Sequence, residues 1–326
     1  MPVKPSYAKV ARALKKGKRF IVTTHLNPDG DGVGAMLALA RALKKLGKNV
    51  VMYAQDPVPA ALKFLPDADR IVHVIPPKAR FDAAVMVDCG EPVRASKEFA
   101  ALVATGLPVI VIDHHLFANL PGALMCIDAR AASAGEVVWR VLGALGAPRD
   151  AATALCIYTT LVVDTGFFRY SNTTDSVFAL AARLVETGAE PWLVAKHLDE
   201  SYPHSRMKLL GASLASLALM YDGRYGSMEV TRAMLEATGA TLADSDEFAG
   251  YPRSIKSVEV AALFREVDAG TVKVSLRSKD YVNVAAIARR HDGGGHKHAA
   301  GFTLHTDIEA AKNLVRDEVE KELAGK

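Results

Sequence analysis

The sequence predicts an α/β fold: a doubly wound, mainly parallel sheet joined by a helical linker to a smaller α+β domain. Three observations predict it. At 326 residues the chain exceeds one typical domain, so two domains are the natural division. Short continuous apolar runs (RFIVTT, AAVMV, PVIVI) alternate with helical patterns up to Gly188, as parallel strands covered on both faces do. After Gly188 a helical stretch follows, and from about residue 225 strands appear, many of them alternating apolar and polar residues. The expected boundaries are 1–188 for the first domain, 189–221 for the linker and 222–326 for the second domain.

Residues 19–24 read as a buried strand and 32–46 as an amphipathic helix stopped by Gly47. A strand is expected at 49–54 and a helix from near Pro59. AAVMV and PVIVI then supply strands that end just before Asp88 and Asp113. Helical patterns at 133–145, 150–163 and 174–187 complete the first domain. The stretch 191–220 reads as a helical connector containing Pro203. Beyond it YGSMEV, VEVAALFREV and TVKVSLRS read as strands of a mixed or antiparallel sheet.

Composition excludes several classes. Half the residues are apolar and 23% are charged, which rules out a disordered chain. A net charge of +4 is too small for a long nucleic-acid footprint, so no long duplex partner is expected; it suits a small anionic ligand. Cys89, Cys126 and Cys156 form no CxxC pair, which argues against a zinc knuckle or disulfide framework and for buried thiols in a reducing compartment. No apolar run approaches the roughly 18 residues of a membrane span, and MPVKPSYAKV has no signal-peptide pattern. A cytoplasmic protein without a membrane partner is expected.

The acidic and imidazole residues fall in one kind of place. His25, Asp29 and Asp31 follow the first strand, Asp88 follows AAVMV, and Asp113, His114 and His115 follow PVIVI. In an open parallel sheet ligands bind outside the carboxyl ends of the strands. Asp164 closes an apolar helical run and adds a fourth contribution. An Asp after a strand often only turns the chain or caps a helix, but four such placements together favour a shared site. Carboxylates so crowded repel unless a cation neutralises them, and mixed His and Asp ligands suit Mn²⁺, Zn²⁺ or Fe²⁺ better than Ca²⁺. GDGVGA at 30–35 also fits the GxGxxA form of a dinucleotide fingerprint. Bare carboxylates at Asp29 and Asp31 would repel a pyrophosphate there, which argues against NAD.

The motifs HLNPDGD, VDCGE, DHH and DTGFF are similar, in order and spacing, to the four motifs of the DHH phosphoesterase superfamily. GGGHKHAAG at 293–301 resembles the GGGHxxAAG signature of the DHH-associated C-terminal domain. Size and motif order resemble the bifunctional oligoribonuclease/pAp phosphatase group, the nanoRNases. The resemblance implies two divalent metal ions, Mn²⁺ foremost: one held by His25, Asp29 and Asp88, the other by Asp31, Asp88, His114 and Asp164, with Asp88 bridging. It implies that Asp113 orients His114 and that His115 faces the scissile phosphate. Arg277 and Ser278 resemble the family's nucleotide-binding strand, Gly293, Gly294 and Gly295 would let backbone approach an anion, and His296 would add a donor. Arg169 and Asn172, near Asp164, are further candidates for substrate contact; His298 is a lesser one.

The implied activity is hydrolysis of short oligoribonucleotides, di- to pentanucleotides, to mononucleotides, and of pAp to AMP. A soluble cyclic-dinucleotide phosphodiesterase is the serious alternative. A family II-type inorganic pyrophosphatase lacks the GGGHxxAAG tail. A non-catalytic nucleotide-binding regulator is argued against by the full ligand set, and a RecJ-like long-strand exonuclease by the lack of room for another nucleic-acid-binding domain. Whether the chain forms a homodimer stays open.

Overall fold

Five short apolar runs pair into one parallel sheet in the computed structural model, which describes residues 6–115 and 120–324. Up to Ser201 the chain forms one compact unit. It begins with α1 (Tyr7–Lys16), β1 (Arg19–Thr23), α2 (Gly30–Lys45) and β2 (Asn49–Tyr53). Next come β3 (Ala83–Val87), α3 (Pro92–Ala95), α4 (Lys97–Ala104), β4 (Val109–Asp113) and β5 (Leu124–Ile127). The helices α5 (Ala134–Leu145), α6 (Ala151–Asp164), α7 (Asp175–Glu186) and α8 (Pro191–Asp199) complete it.

The strand order is β2-β1-β3-β4-β5, and every pairing is parallel. β3 and β4 are buried along their whole lengths because both faces of the sheet are covered. Phe20 and Val22 enter a core shared with α1, α2, α5 and α6, while Ile21 points into a second core with Met86 and Phe99. The order reverses at β1, with β2 on one side and β3 on the other. A crevice thus opens at the carboxyl ends of β1 and β3, where ligands bind in such sheets.

Two expectations are corrected, and one strand had no reading in the sequence. No α-helix begins near Pro59; single 3-10 turns form at Ala60–Leu62 and Ala68–Arg70, and Pro66 with left-handed Asp67 (φ 68°) prevents anything longer. Leu124–Ile127 adds a fifth parallel strand. Ala218–Met220, expected to be helical, is a strand.

Residues from Tyr202 form a second unit. It comprises α9 (His204–Ala215), β6 (Ala218–Met220), β7 (Tyr225–Val230), α10 (Arg232–Thr238), α11 (Gly250–Ser254), β8 (Val260–Asp268) and β9 (Thr271–Ser278). Then come α12 (Val284–Arg289), β10 (Gly294–His296), β11 (Ala299–Leu304) and α13 (Ile308–Ala324). Its sheet runs β10-β11-β9-β8-β7-β6, antiparallel except between β7 and β8. One core gathers Phe264, Val274, Leu276, Ile287 and Val315, and the other Leu209, Met228, Phe248 and Leu263. Cys89, Cys126 and Cys156 are free and buried. Among the described residues no helix is long and apolar enough to cross a membrane.

Candidate metal centre

The turn after β1 places carboxylates at the head of α2. Asp29 caps that helix: its Oδ1 accepts the N–H groups of Asp31 and Gly32, each at 3.0 Å. Asp31 is fully buried, and its two oxygens accept the N–H groups of Ala134 (2.6 Å) and Gly135 (2.9 Å) at the head of α5. Asp88, just beyond β3, is buried in the left-handed region at φ 51°, which Asp tolerates better than most residues. Asp113 is the last residue of β4 and Asp164 the last of α6.

These elements bring His25, Asp29 and Asp88 together, and likewise Asp31, His114 and Asp164. His25 Nε2 stands 3.3 Å from Asp88 Oδ2 and 3.7 Å from Asp29 Oδ1. His114 Nε2 stands 3.3 Å from Asp164 Oδ2, 3.7 Å from Asp31 Oδ2 and 3.9 Å from Asp88 Oδ1. Asp88 therefore adjoins both groups.

The ring orientations suit a cation. His25 Nδ1 lies 2.7 Å from the Leu26 carbonyl and His114 Nδ1 lies 3.3 Å from the Ala131 carbonyl. A carbonyl only accepts, so each Nδ1 carries a proton and each Nε2 is turned toward carboxylates. Burial and neighbouring His115 lower the pKa of His114, which favours the neutral ring with a lone pair on Nε2. His114 Nε2 and Asp88 Oδ1 are sealed from solvent without a hydrogen-bond partner among the described residues. Lone pairs facing one another in a buried place are what a divalent cation resolves, and imidazole with carboxylate is a fitting donor set.

The charges are strongly coupled. Burial, then Asp164 and Asp88, pushes the Asp31 carboxyl well above its ordinary range; burial and Asp88 do the same to Asp164. Burial opposes charge on His25, but Asp29 and Asp88 outweigh it and lift the ring to about 10. Burial likewise opposes charge on Asp88, yet His115 and His25 hold it down at about 2.

Asp113, expected to orient His114, holds that residue by its backbone, and the ring its side chain meets is that of His115. Its Oδ1 accepts the backbone N–H groups of His114 (2.7 Å) and His115 (3.0 Å) and the ring Nδ1–H of His115 (2.9 Å). The two backbone bonds fold the chain over the carboxylate, so the ring two residues on comes within reach. Asp113 and then Asp88 raise the His115 pKa to about 10.

Arg169 and Asn172 are engaged locally. Arg169 donates its Nε–H to the Gly166 carbonyl at 2.7 Å and lies against the Phe167 ring. Asn172 Nδ2 donates to the carbonyls of Asp164 (3.1 Å) and Ala132 (3.3 Å). In the second unit Arg277 is opposite Ala299, and Ala299 is opposite His296, so the three share one face of the sheet with the small alanine in the middle. Ser278 is buried, its Oγ donating to the Val282 carbonyl at 2.7 Å and meeting His298 Nδ1 at 3.0 Å. The glycines serve a hairpin. A Cβ at Gly293 would collide with the Gly301 carbonyl, and one at Gly295 (φ 137°) with the Ala299 carbonyl, whereas Gly294 faces open space.

Sequence reasoning misses the segment 131–136. The available signal is Ser133-Ala134-Gly135-Glu136, a capping-box pattern. Ser133 Oγ accepts the Glu136 N–H at 3.1 Å, and Glu136 Oε2 reaches one residue further back than usual, to the Ala132 N–H at 2.8 Å.

Models of known families match both units: "DHH family, N-terminal domain" over residues 19–161 and "DHHA1 domain" over residues 229–324. The chain belongs to the DHH family and is a hydrolase acting on phosphate ester bonds. It is 36% identical to the bifunctional oligoribonuclease and PAP phosphatase NrnA of Thermus thermophilus, covering 96% of this chain and 93% of that protein. The protein of the same name from Bacillus subtilis is 24% identical, with 93% and 95% covered. An exopolyphosphatase-related protein from Bacteroides fragilis has the same fold, with a TM-score of 0.91 at 24% identity over 97% of this chain and 95% of that one.

Proposed function

We propose that this chain is a two-metal phosphoesterase, with Mn²⁺ as its metal, that hydrolyses di- to pentaribonucleotides to mononucleotides and pAp to AMP. The observation that carries the reading is the convergence of six His and Asp residues in two groups around Asp88. The names of the relatives from Thermus thermophilus and Bacillus subtilis support the substrate class.

Two divalent ions held by these residues would supply Lewis acidity, neutralising charge on the phosphoryl oxygens and acidifying the attacking water. The chain's own contribution is orientation. The Leu26 and Ala131 carbonyls fix the His25 and His114 rings with Nε2 toward the carboxylates. Asp113 takes the Nδ1–H of His115, which fixes that ring and directs its chemistry through Nε2. A proton donor there stabilises a phosphoryl oxygen as charge builds on it. In the second unit Arg277 and His296, flanking Ala299 on one face of the sheet, are of the residue types that bind a nucleotide's phosphate or base.

Side-by-side assays of di- to pentaribonucleotides, pAp, cyclic di-AMP and pyrophosphate test this. Activity is expected to vanish with EDTA, to return best with Mn²⁺, and to favour the short oligoribonucleotides and pAp. Full turnover by chelated, metal-free protein would contradict the metal reading. Preference for cyclic di-AMP or pyrophosphate would contradict the substrate reading.

A further inference from the structure

The backbone of residues 131–135, which leads into and opens α5, is tied to three of the six site residues, and all three belong to one group. The Ala131 carbonyl meets His114 Nδ1 at 3.3 Å. The Ala134 and Gly135 N–H groups meet the two oxygens of Asp31 at 2.6 and 2.9 Å. The Ala132 carbonyl accepts from Asn172, whose amide also holds the Asp164 carbonyl at 3.1 Å. The bonds that fix His25 and Asp29 come from elsewhere: the Leu26 carbonyl and the first N–H groups of α2.

Glu136 anchors this segment. It is only 2% exposed. Its Oε2 accepts the Ala132 N–H at 2.8 Å, and its Oε1 pairs with the Arg140 guanidinium. Arg140 also binds Asp128 Oδ2 at 2.5 Å, and the Tyr7 hydroxyl donates to the same oxygen at 2.5 Å. On the other side Ser133 Oγ meets Thr160 Oγ1 of α6 at 3.0 Å. A buried carboxylate is tolerated only when paired and hydrogen-bonded, and one so held has little freedom to move.

We propose that Glu136 is a positioning residue for one of two metal positions: through the backbone of 131–135 and through Asn172 it sets Asp31, His114 and Asp164, and not His25 and Asp29. The inference rests on the two-ion reading of the site. Groups that orient metal ligands from behind commonly contribute about 10–100-fold in metal affinity, so the two positions should respond unequally to the same substitution.

Calorimetric titration of Mn²⁺ into the metal-free full chain, without substrate, tests it, with circular dichroism and thermal unfolding alongside. Wild type should take up two ions. Glu136→Ala should retain one at near wild-type affinity and weaken the other roughly 10–100-fold. Glu136→Gln keeps an oxygen for the Ala132 N–H and should restore most of that loss. Asn172→Ala, at an exposed residue, cuts only the tie between Ala132 and Asp164 and should weaken the same ion by a smaller factor. His25→Ala identifies the ion: alone it should leave one tight ion, and combined with Glu136→Ala it should leave none. Equal weakening of both ions overturns the proposal, as does unchanged binding of both in Glu136→Ala. If Glu136→Ala does not fold, Asn172→Ala decides by the same criteria. Wild type taking up no ion would instead sink the two-ion reading itself, a distinguishable result.

Discussion

Asp88 occupies a backbone conformation that most side chains avoid. At its φ of 51° an Asp or Asn is at home, while an Ala there costs about 1–2 kcal/mol. Asp88→Asn therefore separates charge from fold. Its thermal midpoint should stay close to wild type, while kcat/KM with Mn²⁺ should fall by more than the roughly 100-fold upper range for groups behind a ligand. Turnover like wild type in Asp88→Asn would remove Asp88 from the bridging role. The convergence of His25, Asp29, Asp31, Asp88 and His114 is legible in the sequence because a carboxylate or imidazole soon after a buried apolar strand lands at the sheet's carboxyl edge, whereas Asp164 ends a helix and is legible only through the DTGFF motif. Which ring Asp113 holds is not legible. That depends on how the chain turns at His114 and His115, and successive residues differ there by geometry alone. The Ala131 carbonyl and the Ala134 and Gly135 N–H groups leave no side-chain signature at all.

Elements show a similar division. β3 and β4 are plain in sequence because both faces of each strand are buried. β5 is a four-residue, partly exposed edge strand, too short for a pattern to rise above its surroundings. α13 repeats Ala311, Val315, Val319 and Leu323 every four residues, a readable helical signal in a region whose strands dominate the reading. In the β10–β11 hairpin the glycine run is read as an approach for an anion, yet Gly293 and Gly295 are needed by the backbone around them. Gly295→Ala should thus lower stability by about 1–3 kcal/mol in denaturant titrations, from strain at positive φ. Gly294→Ala should stay within about 0.5 kcal/mol of wild type, as open positions do. A raised KM in Gly294→Ala would then report backbone contact with the nucleotide, and an unchanged KM would remove Gly294 from the binding residues.

The join between α2 and α6 makes a pH prediction at the same scale. Asp150 caps α6 through Thr153 and pairs with Lys45 of α2 at 2.5 Å. Burial would raise the Asp150 carboxyl, but Lys45 and Thr153 outweigh it and hold the group well below the usual carboxylate range. A depressed folded-state pKa contributes stability above the unfolded value, near 4, and loses it as pH falls toward the folded one. Asp150→Asn can still cap the helix and loses only the charge. With both partners of the pair 33–39% exposed, the variant should be less stable by about 0.5–1 kcal/mol at pH 7. The gap should shrink steadily below pH 4 in unfolding titrations. A gap that stays constant from pH 7 to pH 2 would show that the Asp150 charge contributes nothing.

Over the whole molecule, the candidate metal site and the residues proposed to hold the nucleotide fall on units with separate hydrophobic cores. His25 to Asp164 lie in the unit whose cores include Val22 and Met86; Arg277, Ser278 and the glycine hairpin lie in the unit whose cores include Phe264 and Leu263. A substitution at one functional site therefore need not disturb packing at the other, and kinetics can separate their roles. Arg277→Ala removes a side chain proposed to hold a part of the nucleotide remote from the bond broken. If that grip is felt equally in ground and transition states, KM rises and kcat is little changed. If its binding energy serves to place the phosphate, kcat falls as well. In both cases a small generic phosphodiester, with no base or second phosphate to hold, should be cleaved as by wild type. Asp31→Asn, which keeps one of the two acceptors at the head of α5 while removing a charge from the candidate metal group, should lose activity on the nucleotide and the generic ester alike. Assaying both variants on a diribonucleotide and on the generic ester gives four comparisons. The division of labour fails if Arg277→Ala and Asp31→Asn lose activity equally on the generic ester.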